Sequence, residues 1–175
     1  QRALPPLDKG IENLATAITE VRRISRDLRP GVLDDLGLGP ALQALTDDFA
    51  QRTGIASNFS TVVFRNRLDA EAKIALYRIA QEALMNIERH ADATEMSMDL
   101  RGHAKGATLR ISDNGTGLPP EQDRTGAGIG LRNMQERIEQ LDGTLRILSS
   151  RGTQSGTMIE AILPLSHLLA PGESL

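Results

Sequence analysis

Gln81-Glu82-Ala83-Leu84-Met85-Asn86-Ile87-Glu88-Arg89-His90 carries three unlike polar groups, Glu82, Asn86 and Arg89, at i, i+4 and i+7. That spacing sets them on one face of a helix. The opposite face is apolar over a longer stretch, with Ile74, Tyr77, Ile79, Ala80, Ala83, Leu84 and Ile87, and Asp69 stands where an N-cap belongs. The pattern predicts a helix over about 70–90. A carboxylate, an amide and a guanidinium on one face suit a metal–phosphate group. The amide oxygen can ligate Mg²⁺, the guanidinium can carry phosphate charge, and the carboxylate can orient or deprotonate a nucleophile. Spacing alone fits a solvated face with ordinary charge pairs equally well.

Downstream, Met96, Met98 and Leu100 alternate with polar residues, as do Ala107, Leu109 and Ile111. This predicts two strands joined by a turn over 102–106. The second strand runs into Ile111-Ser112-Asp113-Asn114-Gly115-Thr116-Gly117-Leu118. A carboxylate at a strand end can accept from an exocyclic amine, and glycines let the backbone approach a flat ligand; Asp-Asn-Gly is also an ordinary turn. A third cluster, Gly126-Ala127-Gly128-Ile129-Gly130-Leu131, precedes a helix expected over about 129–141 and closed by Gly143. Loop amides with a helix N-terminus can bind phosphate. No Gly-Lys-Ser/Thr follows, and no βαβ unit with a ribose-binding acid frames the glycines, so neither a P-loop nor a dinucleotide fingerprint is present. Two last strands are expected over about 144–149 and 157–163, with a frayed tail from Ser166.

Upstream, Leu4, Leu7, Ile11, Leu14, Ile18, Val21, Ser25 and Leu28 alternate in spacings of three and four, broken only by the serine. This a/d stripe predicts a helix over about 8–28 that pairs with another helix in a bundle. Arg29-Pro30-Gly31 ends it. A second amphipathic helix is expected over about 39–53, capped by Gly54, and a strand over 58–64. The expected organisation is a partial bundle helix over 1–30, a linker over 31–38, a domain over 39–165 and a tail over 166–175. The fold class is α+β: helices on one face of a mainly antiparallel sheet.

The 175 residues carry a formal charge of −3 and no cysteine, and aromatic residues are 2%. Thiolate chemistry and disulfide scaffolds are excluded, and no footprint for nucleic acid is visible. No apolar run approaches the roughly 20 residues of a membrane span. A chain that opens on Gln1 without a signal pattern reads as a fragment of a longer protein.

Taken together and in this order, the three clusters resemble the N, G1 and G2 boxes of the GHKL ATP-binding superfamily, the Bergerat fold; Gly156-Thr157 resembles its fourth nucleotide-binding element. Leu28-Arg29-Pro30-Gly31-Val32-Leu33-Asp34-Asp35-Leu36-Gly37-Leu38, Tyr77 to Asn86 and Gly130 to Ile138 are similar to two-component sensor histidine kinases that pair with helix-turn-helix response regulators. The resemblance covers about 18–165. It implies a sheet that is mixed, mainly antiparallel, and a dimeric bundle upstream.

The same resemblance implies roles. Asn86 would be the Mg²⁺ ligand and Glu82 the N-box acid, with Arg89 and His90 near the phosphates of ATP. Asp113 would take the adenine amino group, supported by Thr157. Gly115 and Gly117 would open the adenine pocket. Gly126, Gly128 and Gly130, with Leu131, would form the hinge and phosphate loop of a short ATP lid over 118–125. The implied partners are a response regulator and a second copy through the N-terminal helix, with no nucleic acid and no membrane contact by this chain. The implied location is cytoplasmic, with the parent protein free or anchored to the inner membrane. The family phosphorylates a histidine followed by an acidic residue, whereas His90, His103 and His167 precede Ala91, Ala104 and Leu168. The acceptor is therefore expected outside this chain. His90 then reads as a pocket-edge residue, His103 as a turn residue and His167 as a tail residue. An anti-sigma-factor-type serine kinase and a non-catalytic nucleotide-sensing module are the competing readings.

Overall fold

The structure, a computed structural model, describes residues 33, 36–62, 67–103, 105–118, 128–152 and 155–169. The expected bundle helix over 8–28, the lid from Pro119 to Thr125, and Gly126 lie outside the described residues, as does half of the expected linker.

Helix α1 spans Leu38–Thr53 and buries Leu38, Ala41, Leu42, Thr46 and Phe49 on one stripe. Gly54 closes it in the left-handed conformation, at φ 74°, with its N–H donating to the Ala50 carbonyl. Strand β1, Ala56–Val62, and the short β2, Arg67–Leu68, follow. Helix α2 spans Ala70–His90, where the sequence predicts it. The Asp69 carboxylate caps it by accepting from the Ala72 N–H at 2.7 Å. Its buried face is rich in small side chains (Ala72, Ala75, Ala80 and Ala83 beside Leu76, Ile79, Leu84 and Ile87), so the helix axis can lie close to the sheet.

Strands β3, Glu95–His103, and β4, Gly106–Asp113, form a hairpin tighter than expected, because pairing continues to His103 opposite Gly106. Helix α3 spans Gly128–Glu139. It ends before the expected Leu141: Asp142 turns the chain at φ 53°, and the Gly143 N–H returns to the Ile138 carbonyl at 2.9 Å. Gly143 is needed for space, since a β-carbon there would stand 2.6 Å from the Ile162 carbonyl oxygen. Strands β5, Thr144–Ser150, and β6, Gly156–Pro164, complete the main sheet. A 3₁₀ turn over Leu165–His167 leads to β7, Leu168–Leu169, which pairs antiparallel with β2. Instead of fraying from Ser166, the chain stays in the fold to Leu169, and His167 is held rather than loose. Its Nδ1 lies 2.7 Å from Asp69 Oδ2, and its carbonyl accepts the Asp69 N–H.

The five-stranded sheet has the order β1-β3-β4-β6-β5. Only β1 and β3 run parallel. The register puts Phe59, Met98, Ile111, Ile159 and Ile147 in one row on the face that the helices cover. Leu100, Leu109, Ala161 and Leu145 make the next row and are buried. The opposite face is polar and carries Asp99, Arg110, Glu160 and Arg146 side by side, with Arg110 donating to Glu160 at 2.7 Å. Fully burying one large apolar side chain of the core is worth about 1.5–3 kcal/mol. A continuous apolar row on one face and a charged row on the other therefore fix which side the helices take.

Candidate functional site

The predicted residues gather at one end of the sheet, where α2 finishes, β4 finishes, β6 begins and α3 begins. Asp113 is the last residue of β4 and sits opposite Thr157 of β6. Its Oδ1 accepts two backbone hydrogen bonds, from Gly115 at 2.8 Å and Thr157 at 3.3 Å. Among the described residues its Oδ2 has no partner. Burial pushes the Asp113 carboxyl above the ordinary carboxylate range, against the opposing pull of the Gly115 and Thr157 N–H groups. The result is a half-buried carboxylate with one oxygen fixed and one free to accept. Thr157 touches Asp113 through its backbone N–H.

The loop after Asp113 is stitched to its neighbours through the backbone. The Thr116 N–H donates to the carbonyl of Ala91, the residue after α2, at 2.7 Å. Gly115 packs on that same carbonyl so closely that a β-carbon would stand 2.1 Å from it. Gly117 adopts φ +75°, and a β-carbon there would stand 2.3 Å from the Ser150 carbonyl oxygen. Both glycines are thus demanded by close approach to the backbone after α2 and on β5, whereas the sequence reading suggests a flat ligand as their neighbour. Asn114 is a residue that sequence reasoning missed. Its Oδ1 accepts the N–H groups of Thr94 and Glu95 at 2.9 and 3.0 Å, and its Nδ2 donates to Thr94 Oγ1 at 2.9 Å. The Asp-Asn-Gly turn signal was visible, but its partner is about 20 residues away in sequence.

On α2, Glu82 and Asn86 are half-buried, whereas Arg89 and His90 are exposed at the last turn. Asn86 Nδ2 is buried without a hydrogen-bond partner among the described residues. An unpaired buried amide is costly, and rotating it by half a turn puts Oδ1 in the same place. That position suits an oxygen-seeking cation. No cluster of three or more His, Asp or Glu side chains that could hold a metal occurs among the described residues. An ion held through Asn86 would take its remaining oxygens from phosphates and water, the ordinary mode for Mg²⁺.

Gly128 and Gly130 lie in the first turn of α3 and not in a loop ahead of it. Gly130 faces α2, so that a β-carbon at 130 would stand 2.1 Å from Glu82 Oε1. Leu131 is half-buried against the core. The structure therefore joins Asp113, Gly115 and Thr157 by hydrogen bonds, with Gly117 packed on β5 beside them, and sets Glu82 against Gly130. The C-terminal end of α2, with Asn86 between them, connects the two.

Residues 71–167 match the family of histidine kinase-, DNA gyrase B- and HSP90-like ATPases. The chain belongs to this family. Sensor histidine kinase MctS of Rhizobium johnstonii is 48% identical over 162 residues, covering 91% of this chain and 34% of MctS. Oxygen sensor histidine kinase NreB of Staphylococcus carnosus is 34% identical over 159 residues, covering 90% of this chain and 45% of NreB. The chain thus spans less than half the length of these relatives. Among solved structures, the histidine kinase domain of a blue-light-activated kinase from Erythrobacter litoralis aligns at TM-score 0.58 and 22% identity, over 74% of this chain and 61% of that one. The mycobacterial sensor histidine kinase MprB aligns at TM-score 0.56 and 20% identity, over 71% and 91%. Those two share the fold. The domain is a histidine-kinase-type ATPase domain, and ATP binding follows from the family. No helix among the described residues is long and apolar enough to cross a membrane.

Proposed function

We propose that this domain binds Mg²⁺-ATP and passes the γ-phosphoryl group to a histidine that is none of the three in this chain, as the catalytic part of a sensor histidine kinase. The observation that carries the reading is Asp113, with Oδ1 pinned by two backbone N–H groups and Oδ2 left for an exocyclic amine. In this reading Asp113 and Thr157 select adenine, and Gly115 and Gly117 keep the pocket floor at backbone height. Asn86 holds the metal, which neutralises phosphate charge when bound. The N-terminal turn of α3, with Gly128 and Gly130, offers unpaired N–H groups to phosphate oxygens, and Gly126 extends that glycine run. Arg89 and His90 stand at the exposed end of α2 for the same phosphates. Glu82 orients or deprotonates the incoming imidazole. As the new N–P bond forms, the bond to the β–γ bridging oxygen breaks and ADP leaves; positioning and charge stabilisation supply the rate.

We further propose, because the relatives are sensor histidine kinases, that a response-regulator aspartate takes the group next, and, from the resemblance of the Leu28–Leu38, Tyr77–Asn86 and Gly130–Ile138 segments alone, that the regulator is of the helix-turn-helix type. Residues 1–30 then form the second helix of a dimeric bundle, 31–38 a linker and 39–165 the catalytic domain, to which the chain up to Leu169 stays attached through the β2–β7 pair, all in the cytoplasm.

The test is phosphotransfer from γ-labelled ATP to a separately made acceptor helix hairpin. Acid-labile label on its histidine is the expected result. Acid-stable label would favour a serine kinase, and nucleotide binding without any label a sensing module.

A further inference from the structure

Ser149 lies on edge strand β5, and the register sets it opposite Thr157, which in turn sits opposite Asp113. The three form one polar row across β5, β6 and β4. The row lies on the helix-covered face, since Leu145 and Ile147 alternate with Arg146 and Leu148 in leading to Ser149. The Ser149 hydroxyl bonds on both sides of the row. It accepts the Leu118 N–H at 2.7 Å and donates to the Gly156 carbonyl at 3.3 Å. Leu118 follows Gly117, whose α-carbon packs so tightly that a β-carbon would stand 3.0 Å from this same oxygen. Gly156 precedes Thr157 and packs more tightly still on the backbone carbonyl of Asp113, where a β-carbon would stand 2.2 Å from the oxygen.

We propose that Ser149 is a positioning residue for the adenine end of the site. One hydroxyl fixes the far side of the Gly115–Leu118 loop to the edge strand, while Ala91 and Asn114 fix its near side to α2 and β3. The same hydroxyl steadies Gly156, and so the Thr157 N–H that holds Asp113 Oδ1. Without it, the loop keeps its anchors on α2 and β3 and the packing of Gly117 on the Ser150 carbonyl, but the Leu118 N–H loses its bond to β5 and the gap between Gly117 and Asp113 is held less firmly on that side. Ser149 is exposed, so its contribution is to the loop's position and not to the core. The inference rests on the nucleotide reading of the site.

The test compares wild type, Ser149→Ala and Ser149→Thr in the 175-residue chain. Thr keeps the hydroxyl and suits a strand. Three readouts are taken: hydrogen exchange at the Leu118 amide without nucleotide, calorimetric affinity for ADP, and discrimination of ADP over IDP, whose base lacks the exocyclic amine. We expect the Leu118 amide to exchange faster in Ser149→Ala and ADP affinity to fall by about two- to tenfold, the worth of one neutral hydrogen bond. ADP-over-IDP discrimination should shrink, the melting temperature should hold, and Ser149→Thr should recover all three readouts. Wild-type ADP affinity in Ser149→Ala, with discrimination intact, would overturn the proposal and leave the nucleotide reading standing. A loss that tracks a lowered melting temperature and is not rescued by Thr would also overturn it, in favour of a plain structural role. A folded wild type that binds no ADP would sink the nucleotide reading and this inference together, even if Leu118 exchange responds.

Discussion

The α-carbon of Gly130 faces the carboxylate of Glu82 across the α2–α3 contact, and a β-carbon at 130 would stand 2.1 Å from Glu82 Oε1. Of the tight glycines around the site, Gly130 has the far end of a flexible side chain as its first obstacle. At Gly115 and Gly117 the obstacle is a backbone carbonyl oxygen, at 2.1 and 2.3 Å. Position 130 can therefore be filled if Glu82 swings away, whereas 115 and 117 cannot.

Gly130→Ala is accordingly a probe of Glu82 orientation. The substitution gains about 1 kcal/mol of helix propensity within α3. Glu82 makes no hydrogen bond to the other described residues that the swing would break. The melting temperature should hold or rise slightly, while phosphotransfer falls by about ten- to a hundredfold, within the range of general acid–base effects. Rate assays beside a thermal melt check this; full activity in a stable Gly130→Ala protein would remove Glu82 from the mechanism. Gly115→Ala and Gly117→Ala should lose both nucleotide binding and local order.

Asp113→Asn should separate stability from binding. The amide oxygen can still accept the Gly115 and Thr157 N–H groups, but Nδ2 replaces the free Oδ2. A donor then meets the exocyclic amine, and ADP affinity should drop by about ten- to a hundredfold. Stability should move the other way. Burial raises the carboxyl's pKa in the native state from its ordinary 3.8. Ionised Asp113 thus costs the fold stability, a cost absent below the unfolded pKa and fully present above the native one. The Asn variant should melt higher than wild type at neutral pH, by a margin that shrinks as pH falls through the native titration. Paired melts and ADP titrations at several pH values would check both signs.

Asn86→Ala tests the metal. Its Nδ2 is buried and unpaired among the described residues, so removing the amide takes away an unsatisfied group and leaves stability within about 1 kcal/mol. What should vanish is the gain in ATP affinity on adding Mg²⁺. If metal-free and metal-loaded binding weaken together, Asn86 is a pocket wall and not a ligand.

The main elements were legible because their signals are local. Asp69 and the apolar face from Ile74 to Ile87 announce α2, and two-residue alternation announces β3 and β4. The motif residues were legible as three separate clusters. What brings them together was not. Ala91 has no side-chain functional group, and its contribution is a carbonyl. Ser149 is one serine among several, given meaning only by a register across three strands. The β2–β7 pairing joins two-residue strands about 100 residues apart, too short for any periodicity to show.

That pairing leads to a last prediction, on the clasp at the start of α2. Asp69 uses Oδ1 to cap the helix and Oδ2 to meet His167 Nδ1, both at 2.7 Å, and its own N–H donates to the His167 carbonyl. Asp69→Ala removes the cap and leaves the imidazole unpaired, so it should cost about 1–2 kcal/mol. His167→Ala leaves the cap intact and should cost less, about 0.5–1 kcal/mol. Urea unfolding of the two single variants and the double variant measures the coupling. If the clasp is as drawn, the double variant costs no more than Asp69→Ala alone, because His167 has already lost its partner. Strict additivity would mean that the imidazole contributes through packing on the β2–β7 pair, independent of the cap that starts the helix carrying Glu82 and Asn86.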